Sequence, residues 1–349
     1  MKPTAPLTVV ICCHNSTQRL LTTLQHLAFQ DAEPGTWEIV LVDNASIDGT
    51  ADAARDIWQK LASVVPLRVV REEQLGLSFA RLRGVNEARY ETVGFVDDDN
   101  WLESNWVSLA SRTMEENPQI GLLGSGNIEP VFEHHVPDWL NNFAPMLACG
   151  VMPGETLQEV AQGGTVAGAG MITRKNVFWC MRDFYGNFQT TDRKGASTAS
   201  GGDIEFSYIV SILGWKLAKH PNLRMKHFIP SGRTKPTYLN KLLVSTGQAA
   251  NLLDPLRRFA SASRSPSSSI VSYFRLLIAS FLYGCQDLLR VIGSRHKRSY
   301  YRIIFSSRIA QISHLIKFYP EYHRAFSKAH RFVALLGHDQ RAHLQLLRK

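Results

Sequence analysis

The chain has 349 residues, 44% hydrophobic and 20% charged, a composition that is neither that of a disordered chain nor that of an integral membrane protein; the length suits one large domain with an appendage, or two domains of ordinary size. Its five cysteines, Cys12, Cys13, Cys149, Cys180 and Cys285, include no Cys-x-x-Cys pair, which excludes a readable disulfide framework or zinc ribbon and fits a reducing compartment. The net charge of +9 is divided unevenly: residues 236–349 hold 18 Lys and Arg against 4 Asp and Glu, residues 1–235 hold 21 against 26, so an acidic body precedes a cationic tail that faces something anionic, lipid or nucleic acid.

The N-terminus shows no charged start, apolar stretch and small-residue cleavage site, so no signal peptide is read and a cytoplasmic location is expected. Leu7 to Cys13 is an apolar β-type run and Trp37 to Val42 a second, with Leu20, Leu21, Leu24 and Leu27 at helical spacing between them, which predicts a β-α-β unit. Two more short runs, Leu67 to Val70 and Thr92 to Val96, follow segments of helical character. Strands alternating with helices predict an α/β fold whose mostly parallel sheet is covered on both faces. Residues 121–234, rich in glycine and aromatics, are expected to fold back on that sheet and form the second wall of a cleft. From Tyr238 the chain reads as helical and basic, with a Ser-rich hinge from Ser261 to Ser269. The expected division is therefore an α/β unit over 1–235 and a basic helical tail over 236–349.

Open α/β sheets bind ligands beyond the carboxyl ends of their strands. There the chain places Cys12, Cys13, His14 and Asn15 after the first run, Asp43, Asn44, Ser46 and Asp48 after the second, and Asp97, Asp98 and Asp99 after the fourth. Three consecutive carboxylates repel one another unless a cation joins them, and Mg²⁺ or Mn²⁺ takes carboxylate oxygens and completes its shell with substrate phosphates. A solvated acidic turn is the plainer alternative for the triplet, and helix capping the plainer one for Asp48 and Thr50. No Gly-x-Gly-x-x-Gly or Walker A follows the first strand, which argues against a dehydrogenase or a P-loop NTPase.

Taken in order, the apolar strand closing on Asn15, the Asp43-Asn44-Ala45-Ser46-x-Asp48-Gly49-Thr50 loop, Gly76-Leu77-Ser78-Phe79-Ala80-Arg81-x-x-Gly84, Asp97-x-Asp99 and Gly202-Asp203-x-Glu205 resemble glycosyltransferase family 2, over about residues 7–235. The resemblance implies a GT-A fold and an inverting transfer from a nucleoside-diphosphate sugar, commonly a UDP-sugar, to a glycan or polyprenyl-linked acceptor in surface polysaccharide assembly. It implies that Asp43 recognises the base, with Cys13, Asn15, Asn44, Ser46 and Asp48 framing that pocket. Arg81 would lie near the diphosphate, Asp97 or Asp98 at the ribose, and Asp99 on a divalent metal, Mn or Mg, with Asp97 and His227 as further candidate ligands. Asp203 matches the catalytic base; Gly202 stands where many members carry Glu, which brings Glu205 in as an alternative. A helix N-cap is the plain role for Asp203, and a structural histidine that for His227. Gly168, Gly170, Trp139 and Arg233 are assigned to the acceptor side. The competing readings are a nucleotidyltransferase, which would release pyrophosphate, and a non-catalytic nucleotide-sugar-binding protein.

In the tail, Ile270, Phe274, Leu277, Phe281, Leu288 and Val291 recur at helical spacing opposite Ser272, Arg275, Ala279, Gln286 and Arg290, which predicts an amphipathic helix over Ser269–Gly293. Arg275 and Asp287 leave only 11 charge-free residues between them, too few to span a bilayer. With Arg295, His296, Lys297, Arg298 and Arg302 just beyond, segment 269–302 suits an anionic membrane surface, the alternative being that its apolar face packs on protein. The tail holds no readable nucleic-acid module.

Overall fold

The structure is a computed structural model that describes residues 6–190, 200–261, 268–293 and 298–336. The first half alternates as expected: β1 (Leu7–Cys13), α1 (Leu20–Ala28), β2 (Trp37–Asn44), α2 (Thr50–Leu61), β3 (Leu67–Glu72), α3 (Leu77–Glu87) and β4 (Thr92–Asp97). These four strands run parallel in the order β3-β2-β1-β4. Every residue of β2 is buried and β1 is nearly so, because helices cover both faces; this is why the two strands read as continuous apolar runs and not as alternations. α1 presents Leu20, Leu24 and Leu27, each 0% exposed, to one face, while Gly84 of α3 lies against Val10 on the other, so close that a Cβ there would stand 2.3 Å from a Val10 methyl.

A short strand β5 (Asn100–Leu102) and α4 (Trp106–Glu116) lead to the long β6 (Ile120–Phe132). After a 3₁₀ segment at Asp138–Leu147 come the two-residue strands β7 (Gly150–Val151) and β8 (Gln158–Glu159), then β9 (Met171–Arg174), α5 (Lys175–Phe184), α6 (Gly202–Ile212) and β10 (Lys216–Ile229). β9 joins β4 to β6 antiparallel to both, β10 lies parallel to β6, and β5 closes the edge antiparallel to β10. The expected wall is thus an extension of the same sheet. β10 carries a register shift between His220 and Arg224, where Pro221 cannot donate to the ladder.

Beyond a 3₁₀ turn at Ser231–Thr234, the tail is four helices: α7 (Pro236–Ser261), α8 (Ser269–Gly293), α9 (Arg298–Lys317) and α10 (Tyr319–Leu335). Asp254, 1% exposed, ties α7 to α10 by accepting from Tyr322 Oη at 2.8 Å, and is neutralised by Arg257 and Arg258 at 2.8 and 2.6 Å. α9 packs on α7 through Gln311, whose amide donates to Leu243 O at 2.9 Å, and on the first 3₁₀ segment through Tyr300, edge-on to Phe143 with 4.9 Å between centroids. The helix expected over Ser269–Gly293 is α8, and of the two placements left open for its apolar face, the one packed on protein is not seen. Its buried positions are Ser269, Ser272, Tyr273, Ser280, Gly284 and Asp287, while Phe274, Ile278, Phe281, Leu282, Leu289 and Ile292 face outward; Leu277 and Val291 are half-buried. The inward side is polar because Asp287 pairs with Arg308 of α9 at 3.3 Å and because small residues admit α9 closely. By length and composition α8 could cross a membrane, with a mean hydropathy of 1.4 over its best 18 residues, a property that the count of charge-free residues misses. Residues 262–267 of the Ser-rich hinge and Arg295, His296 and Lys297 of the basic cluster lie outside the described residues.

Candidate active site

Strand register builds the site. Cys13 of β1 lies opposite Asp43 of β2, and Cys12 opposite Asp97 of β4, so three strand ends deliver their residues to one level. On the far side His227 of β10 lies opposite Asn100 of β5, which sets it beside Asp99, and Phe228 N donates to Asp99 O at 2.9 Å. Between the two halves opens a cleft of about 820 Å³. Of the residues singled out at strand ends and in the motifs, Cys12, Cys13, His14, Asn44, Arg81, Asp97, Asp98, Asp99, Gly168, Asp203, His227 and Arg233 line it.

The three carboxylates have different surroundings. Asp97 is half-buried, and its side chain has no partner among the described residues. Asp98 is 8% exposed, accepts from Ser16 Oγ and pairs with Arg19 at 2.7 Å; burial, with the charge of Asp99 adding to it, raises its carboxyl above the ordinary value in spite of Arg19. Asp99, 2% exposed, faces His227 Nε2 at 3.4 Å and Arg233 Nη1 at 3.0 Å. Burial alone would depress the His227 imidazole, but Asp99 and then Cys149, 3.8 Å from Nδ1, outweigh it and push it up to about 10. The cations at Asp99 supply the neutralisation that the sequence reading assigns to a metal. Among the described residues no group of three or more His, Cys, Asp or Glu forms a metal cage. A carboxylate with an adjacent imidazole at the edge of an open cleft does fit a divalent cation that takes the rest of its shell from a diphosphate and water.

On the opposite wall, Asp203 stands in the first turn of α6 and its Oδ2 accepts the Gly168 N–H at 2.9 Å. A Cβ on Gly168 would lie 2.4 Å from Arg81 Nη2 and 3.4 Å from Asp203 Cβ, so the glycine lets a guanidinium and a carboxylate converge on one stretch of backbone. Arg81 is 8% exposed and lies over the Phe95 ring.

The remaining candidates sit behind the cleft. Glu205 is 0% exposed; it accepts from Tyr185 Oη at 2.6 Å, Gln189 N at 2.7 Å, and Thr190 N and Oγ1 at 2.8 and 2.7 Å, and so anchors the segment after α5. With both oxygens engaged away from the cleft, it is placed to hold that segment and not to take a proton from a ligand. Asp43 is 4% exposed, pairs with Arg71 at 2.7 Å and accepts from Ser46 N. Asp48 accepts from Thr17 N and Oγ1 and from Thr50 N and Oγ1, bracketing the loop after β1 to the loop after β2; burial pushes its carboxyl up, but these bonds together, the Thr50 hydroxyl foremost, hold it below the ordinary value. Asn15, at φ 50°, accepts from Ile47 N through its side chain and donates its N–H to Ser46 Oγ. Gly170, at φ +67°, is packed under Ser125 and Met225, and Trp139 lies against Phe143 in the 3₁₀ segment.

Some residues that line the cleft went unnoticed in the sequence. Tyr238, Leu242 and Thr246 of α7 enter it on one helix face, at a four-residue spacing that was visible beforehand, and Lys219 of β10, whose pKa burial lowers, reaches it from within. Cys149 enters after the 3₁₀ segment, which carries no periodic signal.

The family model for glycosyl transferase family 2 matches residues 8–151, the stretch holding β1 to β7 with Asp43, Arg81 and Asp97–Asp99. Residues 8–151 belong to glycosyl transferase family 2. The chain is 30% identical over 111 residues to the putative glycosyltransferase EpsH of Bacillus subtilis, an alignment that covers 32% of this chain and 30% of that protein. A longer alignment, 25% identical over 194 residues, covers 54% of this chain and 57% of the glucosyl-dolichyl phosphate glucuronosyltransferase of Haloferax volcanii. Among solved structures, the mannosyltransferase PcManGT of Pyrobaculum calidifontis, in complex with GDP-Man and Mn²⁺, superposes with a TM-score of 0.57 at 16% identity, covering 89% of this chain and 86% of that one. TarS 1-349 of S. aureus, in complex with UDP-GlcNAc, superposes at 0.50 and 16% identity over 97% and 92%. The fold is GT-A, a mostly parallel sheet flanked by helices. The chain covers less than a third of EpsH and little more than half of the Haloferax protein.

Proposed function

We propose that this chain is an inverting glycosyltransferase that moves a sugar from a nucleoside-diphosphate sugar to an acceptor hydroxyl. The observation that carries the reading is the opposition of Asp203 to the Asp97–Asp99 run across one cleft, with Arg81 beside Asp203. One wall can hold a nucleotide and a cation, and the other offers a carboxylate that can accept a proton. Asp203 would take the acceptor hydroxyl proton as its oxygen attacks C1 opposite the leaving diphosphate. The Gly168 N–H at Oδ2 and the Ile204 N–H at Oδ1, each at 2.9 Å, hold that carboxylate in place, and each oxygen keeps a second lone pair for the acceptor.

Asp99 and His227, with Asp97 nearby, would hold a divalent Mn or Mg ion. That ion supplies charge neutralisation at the departing diphosphate, a role shared with Arg81 and Arg233. Mn²⁺ in the PcManGT complex supports this assignment. For Asp43, buried and paired with Arg71, the role is to fix the loop over which a base lies, with Asn44 reaching the cleft itself. UDP is the first donor to try, given TarS with UDP-GlcNAc, and GDP the second, given PcManGT with GDP-Man. A glycan or lipid-linked acceptor, and a division at residue 235 into catalytic unit and tail, complete the proposal; because α7 lines the cleft, the tail would share in acceptor binding.

The test is release of nucleoside diphosphate from a panel of nucleotide sugars, with water or added glycans as acceptor. We expect release from one donor class with Mn²⁺ present, reduced about 10³-fold in Asp203→Asn, whose nucleotide affinity stays unchanged. Release of pyrophosphate would instead identify a nucleotidyltransferase.

A further inference from the structure

α8 is the one described helix whose large apolar side chains mostly face away from the protein. Phe274, Ile278, Phe281, Leu282, Leu289 and Ile292 are 53 to 71% exposed, and they fall on a single broad stripe along 25 residues, roughly 37 Å of helix. The opposite stripe, Ser272, Ser280, Gly284 and Asp287, is buried against the rest of the tail. A Cβ on Gly284 would meet Ile312 of α9 at 3.1 Å, and Asp287 pairs with Arg308 of α9, so the orientation is fixed by fit and by charge. Turning α8 over would bury the leucines and phenylalanines and leave Arg308 without its carboxylate. An apolar stripe of this length left open on a soluble surface marks a docking face.

Charge decides between occupants. Residues 236–349 carry +14, and of their four acidic residues Asp254 and Asp287 are buried in ion pairs with arginines, so the outward surface is almost purely cationic. Arg275 is exposed and, at 100° per residue, borders one edge of the stripe; Arg290, exposed and paired with Asp287 at 3.3 Å, lies further round the same side, with Arg302 and Lys317 exposed on α9. Two copies meeting face to face would bring two such surfaces together with no carboxylates to offset them. The stripe is also wider than a coiled-coil seam, with Leu282 and Leu289 where pairing helices usually carry charge. An anionic lipid surface satisfies both halves of the pattern. We propose that α8 lies along an anionic bilayer, its outward stripe in the boundary between headgroups and acyl chains, with α9 and α10 on its inner side holding the protein against the membrane. A helix attached to protein along one whole side lies in the interface and does not cross it.

The consequence for the fold is directional. α9 packs on α7 and on the 3₁₀ segment, both of which line the cleft, so the bilayer would sit beyond α9 from the cleft wall.

The test is flotation of the full chain with vesicles of phosphatidylcholine and phosphatidylglycerol at 7:3, set against phosphatidylcholine alone, with light scattering of the free protein. The expected result is flotation with the anionic vesicles, lowered at least tenfold in Ile278→Ser/Phe281→Ser/Leu289→Ser and severalfold in Arg275→Gln/Arg290→Gln, both variants melting as the wild type does. Cys285, exposed on the same stripe, can carry a polarity-sensitive dye, whose emission should shift to the blue with anionic vesicles. Wild-type protein that stays behind from both vesicle types overturns the proposal. So does equal flotation of the triple variant, or a dimer that the triple variant dissolves while no vesicle binds.

Discussion

At the residue scale the two carboxylates of the Gly202-Asp203-x-Glu205 stretch separate cleanly. Asp203 faces the cleft on a backbone N–H, whereas Glu205 is sealed under Tyr185, Gln189 and Thr190. Removing Glu205 strands four buried donors, so Glu205→Ala should cost about 2–4 kcal/mol of stability, read by denaturant melts, and Asp203→Asn should cost little. Any loss of turnover in a Glu205 variant should therefore track its loss of folded protein. Gly168→Ala makes a different demand. The added methyl meets the mobile end of Arg81 and not backbone, so the protein should fold normally while Arg81 is displaced; turnover should fall roughly tenfold to a hundredfold with an unchanged Tm. The sequence motif names both carboxylates, and only the direction of each side chain tells their work apart.

At the scale of elements, legibility followed burial pattern. β1, β2 and β4 are buried on both faces and read as continuous apolar runs; β3, half-buried at the sheet edge, still shows one over Leu67–Val70, and each of the four is recovered to within two residues. β10 is as long as any strand but carries Lys216, Lys219, His220, Pro221, Arg224, Lys226 and His227, so its period-2 pattern is broken by a bulge and masked by charge. The strand that brings His227 to Asp99 is therefore hard to read in the sequence, where His227 stands only as a candidate ligand with a structural histidine as the plain alternative. The loop elements behave likewise. Asp48 joins the loops after β1 and β2 as a bracket, a job no local pattern reveals because Thr17 lies 31 residues away. Asp48→Ala should lower stability by roughly 1–2 kcal/mol and weaken nucleotide binding indirectly, by loosening the two loops that carry Asn15 and Ser46. In the tail, Asp254→Asn removes the buried negative charge that two arginines and Tyr322 share and turns one accepting oxygen into a donor, and about 2 kcal/mol should be lost in denaturant melts, with α7 and α10 separating first in hydrogen exchange.

For the whole molecule, the division of charge at residue 235 was readable from composition, and its meaning was not. Composition sets an acidic catalytic body against a cationic tail; the structure shows that α7 belongs to both, lining the cleft with Tyr238, Leu242 and Thr246 while anchoring α9 and α10. A sequence reading separates segments at changes of texture, whereas packing is decided by which faces meet. The orientation of α8 is the clearest instance, since a helical wheel identifies its apolar stripe correctly and leaves open which stripe is covered.

The account turns on one binding property of that cleft, and a thermal melt measures it most directly. Purified protein would be heated with UDP, GDP, CDP and TDP, each with Mn²⁺ or with chelator, beside the Asp99→Asn variant. A ligand present at a hundred times its Kd stabilises the fold by about 2.7 kcal/mol, several degrees of Tm. The account predicts such a rise with one nucleoside diphosphate, requiring Mn²⁺ and absent in Asp99→Asn. Unchanged melting with every diphosphate at millimolar concentration, with or without the metal, would contradict it.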